Sequence, residues 1–269
     1  MGAPRPPRAP AFALTIPGIG PILKAQAALL GLRPLRLEFD GRADVVPIGV
    51  ADRTVLGRLR TAEDVFAEVA VLPRRATALA TAGGLDRRSL ESGLDQLVRL
   101  GGAAGPRSFR VVTRVLDERG YNRTTLRAAV IRRVQALLPA WRGEPEGSAV
   151  ELWFLQIAPM AYRVGVRIVG LGSRAGYGRA VEREGALRPA AAAAMIQLAG
   201  LPRGVLLDPC CGTGTILEEA RAVGWHVIGG DIDHAAVRAA RANTRASVAV
   251  LDGRQLPLAE DAVRAVATN

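Results

Sequence analysis

The stretch 204–223 limits the fold more than any other part of the chain. The apolar run 204–207 passes straight into Asp208-Pro209-Cys210-Cys211-Gly212-Thr213-Gly214-Thr215, and 216–223 then takes up helical spacing. A strand that ends in a glycine loop and resumes as a helix opens a βαβ unit. Gly212 and Gly214 let backbone approach a ligand with no Cβ in the way, and the helix start offers unpaired N–H groups. A second strand, 226–230, delivers Asp231 about 23 positions after Asp208, close to where doubly wound dinucleotide folds place an acid for ribose hydroxyls. The loop is neither Gly-x-Gly-x-x-Gly nor closed by Gly-Lys-Ser/Thr, so a dinucleotide pyrophosphate and a nucleoside triphosphate are not the expected ligands. The acid at the strand end also disfavours phosphate. A nucleoside cofactor fits this pattern; the glycine spacing is wrong for a nicotinamide dehydrogenase.

The rest of the composition excludes several classes. A chain of 269 residues, 49% hydrophobic and 23% charged, has the balance of a globular protein with room for two or three small domains. The two cysteines are adjacent, so no disulfide framework or zinc spacing exists, and a reducing cytoplasm is the expected location. The longest apolar stretch, 189–201, is well short of the roughly 20 residues of a membrane span, and the Arg/Pro-rich leader 1–10 is not a signal peptide. No membrane association and no metal are expected. The net charge of +11 is unevenly spread: 30 basic and 17 acidic residues fall in 1–203, against 6 and 8 in 204–269. That asymmetry predicts a front part that grips a polyanion and a back part that does not.

Along the chain, 11–16 alternates as a strand, and the Pro17-Gly18-Ile19-Gly20-Pro21 turn opens a helix over 22–30 stopped by Gly31. Strands are predicted at 35–39 and 45–50, a further one at 56–59, and a helix at 62–68 before the short apolar run 69–72. Residues 86–100 have helical spacing, and the Gly/Ala/Pro run 101–106 breaks the chain. A strand at 108–115, a long helix at 123–138 and strands at 149–156 and 161–169 follow. The Gly/Arg-rich stretch 170–184 leads to an alanine-rich helix at 187–198. After 204–230 come a helix at 235–243, a strand at 248–251 and a last strand at 263–268.

These residues resemble the class I, Rossmann-like S-adenosylmethionine-dependent methyltransferases. Asp208-x-x-x-Gly212-x-Gly214 is similar to their first motif, Gly230-Asp231-Ile232-Asp233 to their second and Asp252-Gly253 to their third. The string LLDPCCGTGTILEEA is closer to the RNA guanine-N2 methyltransferases that carry a THUMP domain, and REGALRPAAAAAMIQLAGL resembles their linker helix. The resemblance implies a mixed α/β and α+β chain: a disordered leader at 1–10, a ferredoxin-like domain at 11–72, a THUMP-like RNA-binding domain at 73–169, a linker and helix at 170–203, and a partial Rossmann-like methyltransferase domain at 204–269. It further implies S-adenosylmethionine as cofactor and RNA, specifically tRNA, as partner.

By the same resemblance, Asp208 and the backbone of Pro209, Cys210, Gly212, Gly214 and Thr215 hold the amino-acid end of the cofactor. Asp231 takes the ribose hydroxyls, Ile232 flanks the adenine, and Asp252 with Gly253 receives its amino group. Cys210 and Cys211 read as small packing residues rather than reactive thiols, Asp233 as a helix cap, and His234 as exposed. Asn269 stands where the family opens an Asn-Pro-Pro-like motif that holds the target amine, so it is the expected catalytic residue, and a chain cut at that motif is expected to be a truncated enzyme. Arg110, Arg114, Arg123, Arg127 and Arg179 are the expected RNA contacts. The expected activity is methylation of guanine N2 in tRNA. The alternatives are an RNA-binding fragment without catalysis, an rRNA guanine-N2 methyltransferase and an adenine-N6 methyltransferase.

Overall fold

Ten consecutive residues, Asp64–Pro73, form the strand around which the first half of the chain is organised. In the computed structural model, residues 10–49, 52–102, 107–144, 146–171, 181, 183 and 185–269 are described. The chain divides into two compact units, Met1–Ala175 and Gly176–Asn269. In chain order the first unit contains β1 (Ala11–Thr15), α1 (Gly20–Leu29), β2 (Glu38–Phe39), β3 (Asp44–Ile48), α2 (Arg53–Leu56), β4 (Asp64–Pro73), α3 (Ala78–Gly83), α4 (Arg87–Arg99), β5 (Ser108–Arg114), α5 (Arg123–Leu137), β6 (Arg142–Gly143), β7 (Val150–Ala158) and β8 (Ala161–Arg167). Its strands form one mixed sheet in the order β2-β3-β1-β4-β8-β7-β5-β6. Hydrogen bonding continues from β4 to β8, with Phe66 opposite Arg167 and Leu72 opposite Tyr162.

The helix predicted at 62–68 is part of β4. Val65, Phe66, Ala67 and Val69 are fully buried, and Phe66 stacks on Phe12 of β1 with ring centroids 4.8 Å apart. A strand buried on both faces loses the polar–apolar alternation that identifies strands, and its continuous apolar run then reads ambiguously. The strand predicted at 56–59 is replaced by α2, whose start is capped by Asp52 accepting from Val55 N at 3.1 Å. Of the strand predicted at 35–39 only Glu38–Phe39 remains, with a bridge from Pro34 to Ile48. Helix α3, capped by Thr77, and the two-residue β6 carry too little periodicity to be read from sequence. The Pro-Gly turn before α1 has a tertiary cap: Gly18 N and Gly20 N both donate to Asp44 Oδ2 at 2.8 Å from β3.

One face of the sheet carries the large core cluster, from Leu23 and Ala27 of α1 to Leu126, Val130 and Val134 of α5. The other face has a small cluster around Phe12, Phe66 and Trp153. Arginine–carboxylate pairs flank that cluster: Arg110 to Glu151, Glu151 to Arg167, and Arg167 to Asp64 run across β5, β7, β8 and β4. Arg163, fully buried, lies between Glu38 and Glu68.

The second unit contains α6 (Pro189–Ala199), β9 (Val205–Asp208), α7 (Thr215–Ala222), β10 (His226–Asp231), α8 (His234–Asn243), β11 (Ser247–Val250) and β12 (Ala265–Val266). All pairings are parallel, in the order β11-β10-β9-β12. Helix α6 begins with a proline and ends on Gly200 in the left-handed region, with φ of 60°. Its Ala192 and Ile196 pack with Leu206, Ile216, Ala220 and Trp225. No helix among the described residues is long and apolar enough to cross a membrane.

Candidate cofactor site

The strand order of the second unit determines where a ligand can sit. Consecutive elements step from β9 to β10 to β11 in one direction, and the chain then returns to place β12 on the other side of β9. In an open parallel sheet, ligands bind at the carboxyl ends of the strands where this reversal occurs. Asp208 ends β9 and Asp231 ends β10. Asn269 follows β12 and lines one cleft with Asp208, Cys210, Gly212, Thr213 and Thr215.

The glycine loop is built by backbone conformation. Gly212 and Gly214 have φ of 53° and 82°, and a Cβ at Gly214 would stand 2.6 Å from Thr244 Cγ2. Both requirements exclude a side chain there. Gly214 is also the N-cap of α7 and supplies no side-chain cap. Helices α2, α3, α4, α5 and α8 are capped by side chains, while α1 and α6 begin with proline. Among the described helices, α7 alone starts with neither device, so its first turn meets the glycine loop with no side-chain cap.

Asp231 is fixed by two backbone amides: Gly212 N donates to Oδ2 at 2.9 Å and Asp233 N to Oδ1 at 3.0 Å. Each oxygen keeps a lone pair for a hydroxyl donor. Ile232, next along, is 66% exposed, an apolar side chain open to a flat ring. Gly229 and Gly230 of β10 are needed for packing, since Cβ atoms there would meet Leu217 and Leu251.

Asp208 is the electrostatic singularity of the unit. It is 1% exposed, and its bonds come from Cys210 N at 3.2 Å and the Thr268 hydroxyl. Burial, with a smaller contribution from the Asp231 charge, raises its pKa from 3.8 to about 6 against those two hydrogen bonds. A buried carboxylate held by dipoles alone, beside a second carboxylate, is suited to a cationic ligand group. Burial and the neighbouring Asp208 and Asp231 charges push the Cys211 thiol up to about 12, so it is no nucleophile at neutral pH. Cys210 is exposed and Cys211 buried.

The other expected residues are placed as follows. Asp252 is engaged by the residue two positions on: Arg254 contacts both its oxygens, with NH2 2.6 Å from Oδ2, and Arg254 N donates to Oδ1 at 3.0 Å. Gly253 has room for a Cβ at ordinary contact with Pro209 and Cys210. Asp233 caps α8 through Ala235 N at 2.7 Å and also pairs with Arg183 at 2.6 Å, and His234 is exposed. Two contributors have no signal in sequence. Asn243 accepts from Val181 N at 3.0 Å and donates to Val181 O at 2.8 Å and Thr213 O at 3.2 Å, tying the connector to the glycine loop. Thr268 reaches Asp208 across the strand reversal.

In the first unit, Arg110 pairs with Glu151 at 2.8 Å. Arg114 pairs with Asp40 at 2.7 Å and covers the Trp153 ring at 5.0 Å. Arg123 and Arg127 are exposed on α5, without an ion pair among the described residues. Arg179 and the leader 1–9 lie outside the described residues.

Residues 177–269 match the protein family described as RMKL-like, methyltransferase domain. The second unit is therefore similar to a methyltransferase domain. A tRNA (guanine(10)-N2)-dimethyltransferase of Methanothermobacter thermautotrophicus is 45% identical over 60 residues, which are 22% of this chain and 18% of that enzyme's length. The structure of TrmN from Thermus thermophilus superposes with a TM-score of 0.72 at 26% identity, over 92% of this chain and 74% of that one. That of a predicted N6-adenine-specific DNA methylase from Listeria monocytogenes gives 0.62 at 18% identity over 90% and 74%, a likeness of fold.

Proposed function

We propose that this chain is an S-adenosylmethionine-dependent RNA methyltransferase acting on guanine N2 of tRNA, with a ferredoxin-like and THUMP-like front that binds the RNA. The observation that carries the reading is the meeting, at the strand reversal, of a buried Asp208 with no cation beside it among the described residues, a helix start with no side-chain cap behind two positive-φ glycines, and Asp231 held by two backbone amides. The matched family and the tRNA enzyme point the same way.

The site's donor set fits the cofactor. Asp208 would hold the ammonium of its amino-acid end, Asp231 its ribose hydroxyls, and Ile232 the adenine face. The Asp252 oxygens are engaged by Arg254, so the adenine amino group would share or displace that pair. S-adenosylmethionine supplies an electrophilic methyl on a sulfonium. When bound, it would supply that methyl to the guanine N2 lone pair, with sulfur as the leaving group and the N2 proton passing to solvent. Asn269 would orient the amine. Because charge is dispersed rather than created, orientation in the cleft is the main contribution asked of the protein.

Calorimetric titration with S-adenosylmethionine tests this directly. The wild-type chain is expected to bind saturably and Asp231→Ala to bind at least tenfold more weakly; equal affinity for the two proteins would refute the pocket. Methyl incorporation into unmodified tRNA then tests the acceptor, with guanine N2 as the expected product position.

A further inference from the structure

The expected RNA contacts of the first unit fall into two kinds. Arg110 and Arg114 are held by carboxylates, and Arg114 also lies over Trp153, which is only 6% exposed and so closed to a nucleobase. Arg123 and Arg127 are different. They stand four residues apart on α5 and therefore share one helix face, where like charges repel by roughly 0.2–0.5 kcal/mol. Arg123 opens the first turn of α5, which contains no acidic residue, so it also opposes the helix dipole.

A third arginine joins them from another element. Arg42, exposed, projects from the four-residue turn between β2 and β3. That turn is fixed by buried Asp40, whose Oδ1 accepts from Arg42 N at 2.9 Å and Ala43 N at 2.7 Å while Oδ2 takes Arg114. Arg42, Arg123 and Arg127 line one open cleft of about 490 Å³ together with Arg114, Thr113 and Thr124. No carboxylate lines it. The charge of Arg114 is answered by Asp40, which leaves three guanidiniums without an ion pair among the described residues, with Glu118 beside Arg42 and Arg123 in the adjoining cleft. Three like charges converging on a helix start cost stability and create a local positive potential that a multiply charged anion relieves.

We propose that this cleft, formed by Arg42, Arg123 and Arg127 at the start of α5, is the phosphate-gripping site for an RNA backbone, and that Arg110 and Arg114 are structural. The inference rests on the RNA reading above and assigns its contact surface. Arginines from two separate elements would take successive phosphates of one strand. With the Trp153 ring covered, the site grips without reading sequence.

The test is fluorescence anisotropy of the full chain with a labelled unmodified tRNA transcript, between 50 and 300 mM salt. The triple variant Arg42→Ala, Arg123→Ala, Arg127→Ala should bind more than tenfold more weakly at 100 mM salt. Its log–log salt slope should fall by about 2–3, close to one per lost phosphate contact. The matched Lys triple should keep most of the slope, and Arg132→Ala, on another part of α5, should stay within about twofold of wild type. All three positions are exposed, and unchanged circular dichroism confirms folding. Wild-type binding that the Ala triple leaves within twofold overturns this assignment and keeps the RNA reading. Absence of wild-type binding overturns the RNA reading itself. Displacement of RNA by low-millimolar inorganic phosphate at constant ionic strength would reassign the cleft to a small anion.

Discussion

The two units bury charge in opposite ways. In the first, Arg163 is enclosed between Glu38 and Glu68, and the row from Arg110 through Glu151 and Arg167 to Asp64 alternates in sign across four strands. In the second, Asp208 is buried as deeply but, among the described residues, meets a backbone amide and a hydroxyl and no cation. Matched charges are a closed account and belong to the architecture. An unmatched one is held at a cost, and such groups gather at sites that wait for a ligand.

The largest effect expected from this contrast is at Arg163. Its Nε and NH2 engage both Glu38 oxygens at 2.8 and 2.7 Å, and NH1 engages Glu68. Arg163→Ala strands two carboxylates in the sheet, and breaking a buried pair in this way costs about 3–5 kcal/mol. Denaturant unfolding should show that loss. A loss under 1 kcal/mol would mean that the triad is solvated and that the contrast with Asp208 is false.

Asp208→Asn should act in the other direction. A carboxyl whose pKa rises from 3.8 to about 6 on folding holds its proton more tightly in the folded chain. The folded state is therefore favoured at low pH, and the wild type loses stability as pH rises from about 4 through 6. At pH 8 the penalty is about 2–3 kcal/mol, so the Asn variant should be the more stable protein by roughly that amount, with the difference vanishing near pH 3. The same variant should lose S-adenosylmethionine binding. An Asn variant less stable than wild type at pH 8 would show that the folded protein compensates the Asp208 charge.

Legibility followed the same division. The glycine loop of the second unit is legible in sequence because its parts are local: Asp208, Gly212 and Gly214 lie within seven residues, and glycine at a positive φ has few substitutes. The roles of Asn243 and Thr268 are not, since each depends on which backbone group the fold brings opposite. In the first unit most of the longer helices and strands followed from spacing, but β4 did not, because burial on both faces removes the alternation that marks a strand. Arginine counts indicated a basic front. They could not separate Arg110 and Arg114 from Arg123 and Arg127, because pairing with Glu151 and Asp40 is a matter of register across the sheet.

Gly214→Ala is the next largest perturbation. A residue forced to φ of 82° costs about 1–2 kcal/mol, and its Cβ would press on Thr244. Thermal unfolding should show this loss together with a cofactor affinity reduced more than tenfold. A variant that unfolds earlier yet binds normally would separate the loop's structural role from a ligand role.

The smallest effect probes a helix start of the opposite design. Asn122 Oδ1 accepts from Thr125 N at 2.9 Å and from the Thr125 hydroxyl at 3.0 Å, giving α5 the side-chain cap that Gly214 does not give α7. Asn122→Ala removes that cap at a cost of about 1 kcal/mol. If the two helix starts serve different ends, the variant should lose stability and leave S-adenosylmethionine affinity unchanged. Its RNA affinity should fall modestly, by about two- to fivefold, because fraying of the first turn releases Arg123 from the cleft it shares with Arg42 and Arg127. Unchanged RNA binding at the full stability cost would place the grip beyond the first turn of α5, on Arg127 and Arg42.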